Sequence, residues 1–507
     1  MMILYQDELQ GTPPGWPEMQ QMFSTKSSLA QLEEACRRAI FTRMKRSLSD
    51  LSFSWIRRLL TRGAPTAPAA ALLVCSIASP YAARAEDYVD VPMPPRLKVE
   101  QTLLEGPVFA TAEGKTLYRW EAQAPGKAGN PACDSTHYRT TFAGASDGGG
   151  GLVLPEADKR PACEDIWPPA HASADAEPMG NWTIVTRSDG SRQWAYEGYP
   201  LYTYARDKEP GEVLGGTDRI PGYGYRRGRT GGEDRTPIGP ASSVPPGFTV
   251  VTTALGRLLT TDKQMSVYTS DKDGTGRSRC NGDCALLWSP MIAPLFAQVG
   301  RGWSLVDRGG GIKQWAFKGK PLYTFKPDRR RRGLTGEDIP GWHGTYLEKA
   351  PKYPPAVTVH DTSMGPVLAD RHGMTLYVFG CVEPTVDLLS CDHPADTQVY
   401  RLALCGNGDA ATCLSKWPIV PALSGERTLN WVWSVIEIDP KTGHYAAPGQ
   451  RDALRVWAYR GRPIYTFSGD KQPGDDRGDG VSAGIGQAIM FTAIKLRHDL
   501  NQSFGED

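Results

Sequence analysis

Eight cysteines lie beyond residue 85, at Cys133, Cys163, Cys280, Cys284, Cys381, Cys391, Cys405 and Cys413. Such a set does one of two kinds of chemistry: it builds structural bridges, or it supplies a redox pair. Cys280-Asn-Gly-Asp-Cys284 spaces its thiols by three residues rather than the two of a thioredoxin-type site, and no helical pattern follows to lower a thiolate pKa. Cys163, Cys284 and Cys413 are each followed four residues later by Trp167, Trp288 or Trp417, and each has a cysteine before it. That register predicts structural bridges Cys133–Cys163, Cys280–Cys284 and Cys405–Cys413. Cys381–Cys391 follows by elimination.

The other residues able to do chemistry are aspartates and aromatics. Asp271 and Asp273 in "SDKDGTG", and Asp470, Asp475, Asp476 and Asp479 in "GDKQPGDDRGDG", are hard oxygen donors of the kind calcium takes. Neither run has EF-hand spacing, and both read as turn aspartates, so no metal is expected. Arg329 to Arg332 read as a solvated loop. There is no H-E-x-x-H, C-x-x-C-H, G-x-S-x-G or Walker loop, so neither a catalytic set nor a cofactor is assigned. The aromatics recur in one phrase. "QWAYEGYPLYTYARD" (193–207) returns as "QWAFKGKPLYTFKPD" (314–328) and "VWAYRGRPIYTFSGD" (456–470). Tyr202, Tyr204 and Asp207 therefore have counterparts in Tyr323, Phe325 and Asp328, and in Tyr465, Phe467 and Asp470. The aromatics could stack a sugar or aromatic ligand, or they could be core and cross-strand pairs. Period-two alternation separates Tyr202 and Tyr204 from Leu201 and Thr203, which leaves room for one exposed set. Each terminal Asp sits where a turn begins and is expected to close an Asx-turn, a structural role.

The elements that must position these residues are hairpins. "QWAY" and "LYTY" are strand-forming, with Gly198 available for an unusual φ between them. An earlier hairpin of constant length precedes each phrase: Gly106 to Tyr118, Gly256 to Tyr268 and Gly365 to Tyr377. Double prolines at Pro94, Pro245 and Pro354 open each copy. The fold class is all-β: three tandem repeats of a small β domain built from hairpins, at 94–235, 245–350 and 354–490, with a tail at 491–507. Each unit holds two "LY" hairpins, so an internal pseudo-twofold is plausible. One six-part propeller-like ring is the alternative.

The chain of 507 residues is too long for one core, its 55 Gly and 41 Pro favour turns, and a net charge of +1 excludes a nucleic-acid binder. Residues 1–85 differ from the rest. Arg57, Arg58 and Arg62 precede an apolar run ending in Ala83-Arg84-Ala85, which reads as a secretory signal peptide cleaved before Glu86. The apolar run is short for a bilayer span and Pro80 interrupts it. Met44-Lys45-Arg46 makes the more natural start, which sets residues 1–43 apart. The leader carries ten Lys/Arg against six Asp/Glu, so the remainder is mildly acidic.

The second hairpins, with Tyr202-Tyr204-Asp207, Tyr323-Phe325-Asp328 and Tyr465-Phe467-Asp470, resemble the secreted-repeat bacterial lipoproteins with a Tyr-x-(Phe/Trp/Tyr)-x-x-Asp motif. The first hairpins depart from it: Tyr118-Trp120 is followed by Gln123, Tyr268 by Ser270 and Asp273, and Tyr377-Phe379 by Val382. The resemblance implies a protein of the bacterial cell envelope, periplasmic or secreted, and it implies no activity. Cys75 follows Val74, where a lipobox wants a small residue, so lipid attachment is not expected. The reading is an exported β-repeat protein that binds or scaffolds without catalysis, its partner an envelope component or small ligand. Membrane contact is expected only through an uncleaved or alternative leader. The alternative is an envelope thiol/disulfide redox protein.

Overall fold

The computed structural model describes residues 88–120, 133, 142–143, 152–153, 163–215, 235–381, 394–395, 398–482 and 489–497. The expected leader and the Cys381–Cys391 bridge lie outside the described residues and side chains. Residues Ala83–Asp507 form one compact unit.

Each repeat is two three-stranded meanders joined back to back. In the first repeat these are Leu97–Gln101, Pro107–Thr111 and Tyr118–Trp120, then Trp182–Thr186, Arg192–Tyr196 and Tyr199–Tyr202. The third strands of the two meanders pair antiparallel, and the pairing sets one tyrosine against another. Tyr118 lies opposite Tyr202, Tyr268 opposite Tyr323, and Tyr377 opposite Tyr465. These are the two "LY" hairpins of each copy, facing each other across a local pseudo-twofold axis. The turn inside the repeated phrase has φ > 0 at both central residues: Glu197 52° and Gly198 83°, Lys318 49° and Gly319 77°, Arg460 51° and Gly461 79°. That is the two-residue turn whose twist suits tightly paired strands.

A closing strand flanks the first tyrosine of each repeat: Arg235–Pro237, Trp342–Gly344 and Ile489–Ala493. The last of these straddles the boundary expected at 490/491, and the first begins at the boundary expected at 235. Its pseudo-twofold mate is the segment after the conserved-register tryptophan, which lies along the second meander; in the second repeat it is the strand Trp288–Pro290. The second cysteine of each pair rides on a short helix: Cys163–Ile166, Asp283–Leu287 and Ala410–Lys416. A further helix, Val399–Gly406, carries Cys405. These helices were not legible as patterns, because one or two turns give no 3.6-residue periodicity to read.

The sheets hold two to six strands and none closes into a barrel. The repeats are not insulated from one another. The largest apolar cluster joins Tyr118, Trp167 and Tyr204 of the first repeat to Trp433, Trp457 and Tyr459 of the third, with Ala254 of the second. At its margin Glu105, on the tip of the first hairpin, pairs with Arg460 in the third repeat's turn, both side chains 1% exposed.

Candidate functional site

The repeated residues converge on one constellation per repeat, and it faces the core. The first hairpin's tyrosine donates its hydroxyl to the terminal aspartate of the phrase: Tyr118 Oη to Asp207 Oδ2 at 2.7 Å, Tyr268 to Asp328 at 2.6 Å, Tyr377 to Asp470 at 2.7 Å. All six residues are buried. The tryptophan after the cysteine stands edge-on to that tyrosine, with centroids 5.3, 5.3 and 5.4 Å apart. The same indole lies against the second aromatic of the phrase: Trp167–Tyr204 at 4.5 Å, Trp288–Phe325 at 4.4 Å and Trp417–Phe467 at 4.5 Å. Tyr202, Tyr323 and Tyr465 are buried too, and so are Leu201 and Thr203. In the first repeat both faces of the Leu201–Tyr204 stretch are buried, while Tyr196, Tyr199, Phe317 and Phe467 of the phrases are partly exposed.

The aspartates reach beyond their own turns. Their second oxygen reaches seven residues on, to Leu214 N at 2.9 Å, to Thr335 Oγ1, and to Arg477 N at 3.0 Å. The side chain points inward to a tyrosine and closes a wide loop. Eight residues after each Asp comes Gly215, Gly336 or Gly478. A Cβ there would meet the tryptophan and tyrosine rings at 2.6 to 2.9 Å, so these positions admit only hydrogen. The sequence reading passed over these glycines and Tyr118, Tyr268 and Tyr377 as partners, although the eight-residue spacing in all three copies was there to find.

Burial dominates the electrostatics. It pushes the Asp207 carboxyl up to about 8 against the lowering effect of the Tyr118 hydroxyl and the Leu214 N–H. It raises Asp470 likewise against Tyr377. Burial, reinforced by the nearby carboxylate, holds the Tyr118, Tyr268 and Tyr377 hydroxyls far above the usual phenol range. The pair ties the two halves of each repeat together as a buried strut.

In the second repeat the strut occurs twice. Tyr323 donates to Asp273 Oδ2 at 2.8 Å, the pseudo-twofold image of Tyr268–Asp328, and Asp273 also accepts from Arg279 N. Asp273 is thereby occupied, Asp271 bonds His343, and Asp479 bonds Lys495 at 2.7 Å. Asp475 accepts from Lys471 N and Asp476 from Ser363 Oγ. Among the described residues no group of three or more His, Cys, Asp or Glu is placed to hold a metal.

Cys133 is bonded to Cys163, Cys280 to Cys284 and Cys405 to Cys413, each within its own repeat. An arginine braces the first two. Arg187 donates to Cys133 O and Gln193 Oε1, and Arg308 to Cys280 O and Gln314 Oε1. Each glutamine in turn donates to a strand carbonyl, Leu201 O or Leu322 O. The third copy has Val456 in place of the glutamine, and there Arg401 lies 3.1 Å from Cys413 Sγ and donates to Gln398. Of the four-arginine run, Arg332 donates to Gln264 Oε1, while Arg329, Arg330 and Arg331 are exposed.

The model of a family described as a secreted repeat of unknown function matches residues 183–218, 249–291, 304–343 and 452–486. Each match covers one half-repeat ending in a tyrosine-bonded aspartate or running past it. The two first halves that lack the aspartate, with Gln123 and Val382 at its place, fall outside the matches. No curated protein and no solved structure matches the chain.

Proposed function

We propose that this chain, four segments of which carry the secreted repeat, is an exported, non-enzymatic β-repeat protein that binds or scaffolds in the cell envelope. One observation carries the reading. The chemically capable residues that recur through the copies are spent on packing: the Tyr–Asp struts, the tryptophans and the bridged cysteines are buried, save Cys284, which is partly buried. Repetition here reproduces a packing unit. The absence of any helix long and apolar enough to cross a membrane among the described residues, and the family's description as secreted, support an envelope or extracellular site. Cleavage before Glu86 is part of the proposal.

The test is a thiol titration of the native exported protein. The scaffold reading expects no reaction of Cys133, Cys163, Cys280, Cys405 and Cys413, whose side chains are buried, until the protein is denatured and reduced. A pair that reduces and reoxidises in the folded protein at a physiological thiol potential would establish the redox alternative instead.

A further inference from the structure

One edge of the second repeat departs from the other two along its length, and the other repeats serve as internal controls. Backbone bonds fix the correspondence. Lys326 N bonds Leu287 O, as Ala205 N bonds Ile166 O and Ser468 N bonds Lys416 O. Ala293 N bonds Lys313 O, as Ala172 N bonds Arg192 O and Ala422 N bonds Arg455 O. In that register Leu286–Leu287 stand where the other copies have Asp165–Ile166 and Ser415–Lys416. Phe296 stands where they have Asp175 and Gly425. Leu286 is 66% exposed, Leu287 52%, Leu295 82% and Phe296 88%. Leu286, Leu295 and Phe296 lie outside at places where the same fold elsewhere uses small or charged residues, and Leu287 lies outside where the first repeat buries Ile166 and the third has Lys416.

A second departure meets the first. The turn after Asp328 reads Arg329-Arg330-Arg331, against Lys208-Glu209-Pro210 and Lys471-Gln472-Pro473. Arg329 and Arg331 are exposed and have no ion-pair partner among the described residues. The Lys326–Leu287 bond places this turn beside the leucines, which sit on the helix Asp283–Leu287 pinned by Cys280–Cys284. The edge is poorly suited to adding a partner's strand. Leu287, Met291 and Ala293 direct their backbone groups inward. The outward positions include Pro290 and Pro294, which have no N–H, and Trp288, whose N–H is taken by Cys284 O. What the edge offers is side chains: rigid leucines and a phenylalanine with cations beside them.

We propose that this edge and the Arg329–Arg331 turn are a docking surface for a lipid bilayer with anionic headgroups, the apolar side chains entering the acyl boundary and the arginines meeting headgroup phosphates. The proposal rests on the envelope reading for its setting and supplies that reading's partner.

Purified full-length protein is sedimented with vesicles of phosphatidylcholine alone or with phosphatidylglycerol added. Binding is expected only with phosphatidylglycerol. Leu286→Ser/Leu287→Lys, which copies the third repeat, and Phe296→Asp, which copies the first, should each weaken it at least tenfold, as should Arg329→Glu/Arg331→Glu. Because the other repeats already fold with the residues of the leucine and phenylalanine variants, and because Arg329 and Arg331 are exposed, an unchanged melting temperature is expected. Leu429→Ser, at an exposed leucine of the third repeat, should have no effect. The leader is present in every variant, so its own contribution cancels. Equal binding to neutral vesicles, or no binding, overturns the proposal. So does loss in the arginine variant alone together with equal binding to soluble dextran sulfate, which would make the turn a polyanion site. A dimer that Phe296→Asp dissolves would make the edge an interface between copies and overturn it equally. The vesicle experiment can fail while the native thiol count still shows inert bridges, so its failure is distinct from that of the scaffold reading.

Discussion

A carboxyl held in a core next to a phenol makes stability depend on pH in a definite direction. Asp207 has its folded-state value raised to about 8, from an ordinary value of 3.8. Between those values the folded state binds the proton that the unfolded chain releases, so this group's stabilisation is full below about 4 and declines as pH rises through 8. Asp207→Asn keeps one oxygen to accept from Leu214 N–H, turns an amide N–H toward the Tyr118 hydroxyl, and does not ionise. The variant's melting temperature should therefore fall less than the parent's between pH 5 and 8.5, read by thermal melts at constant ionic strength. A parallel shift at all pH values would show that Asp207 does not titrate in the fold. Asp470→Ala leaves the Tyr377 hydroxyl and Arg477 N–H without this acceptor and should cost about 1–3 kcal/mol in denaturant titration. That exceeds the cost of a lost turn cap, because the lost partner is buried. Gly336→Ala would force a methyl to within 2.7 Å of Trp288 and 2.8 Å of Tyr268. Overpacking of that kind costs about 1–3 kcal/mol, so Gly336→Ala should lower the denaturation midpoint without changing its slope.

At the scale of elements, strands and hairpins were legible because period-two alternation and paired turn residues are local signals. The Tyr–Asp struts were not, since their partners stand 89, 60 and 93 residues apart in the chain. That Asp207 follows a turn is a local signal, but its Tyr118 partner is not, because the pairing of Tyr118 with Tyr202 is what brings the hairpins together. A compensation between copies also becomes visible only in three dimensions. Gly211 N bonds Gly114 O and Gly474 N bonds Gly373 O, and in the second repeat Arg332 N bonds Gln264 O. All six residues have φ between 60° and 92°. A Cβ on Gly114 would lie 2.6 Å from Pro210, whereas the second repeat has Arg331 in place of that proline and lets Gln264 bond Arg332. Gly114→Gln alone should therefore cost about 2 kcal/mol or more from strain and overlap. Gly114→Gln with Pro210→Arg and Gly211→Arg, which imports the second repeat's solution, should recover part of that loss in urea titrations. No recovery would mean the two solutions are not interchangeable.

Taken as one molecule, the described chain is six half-repeats paired into three, and the pairs share a core. Internal repetition in the sequence announces the units, but not how they meet, because contacts between copies fall on residues that differ between copies. Glu105 and Arg460 show this. The turn residue is Glu197 in the first repeat and Lys318 in the second, and in the third it is an arginine set against the first repeat's hairpin tip. Both charges are removed from water, so neither tolerates the loss of the other. Glu105→Gln should cost about 3–5 kcal/mol, because it takes a carboxylate away from a buried guanidinium. Glu105→Met with Arg460→Met should cost less than the single change, since two apolar groups of similar length need no partner. The same variants report whether the repeats unfold together. With Tyr118 and Trp167 in one cluster with Trp433 and Trp457, the first and third repeats should lose structure in a single transition. Glu105→Gln should shift that transition as a whole when followed by tryptophan fluorescence and by far-ultraviolet dichroism. Two separate transitions, with Glu105→Gln moving only the first repeat's, would mean that the shared core does not couple the copies and that each repeat folds alone.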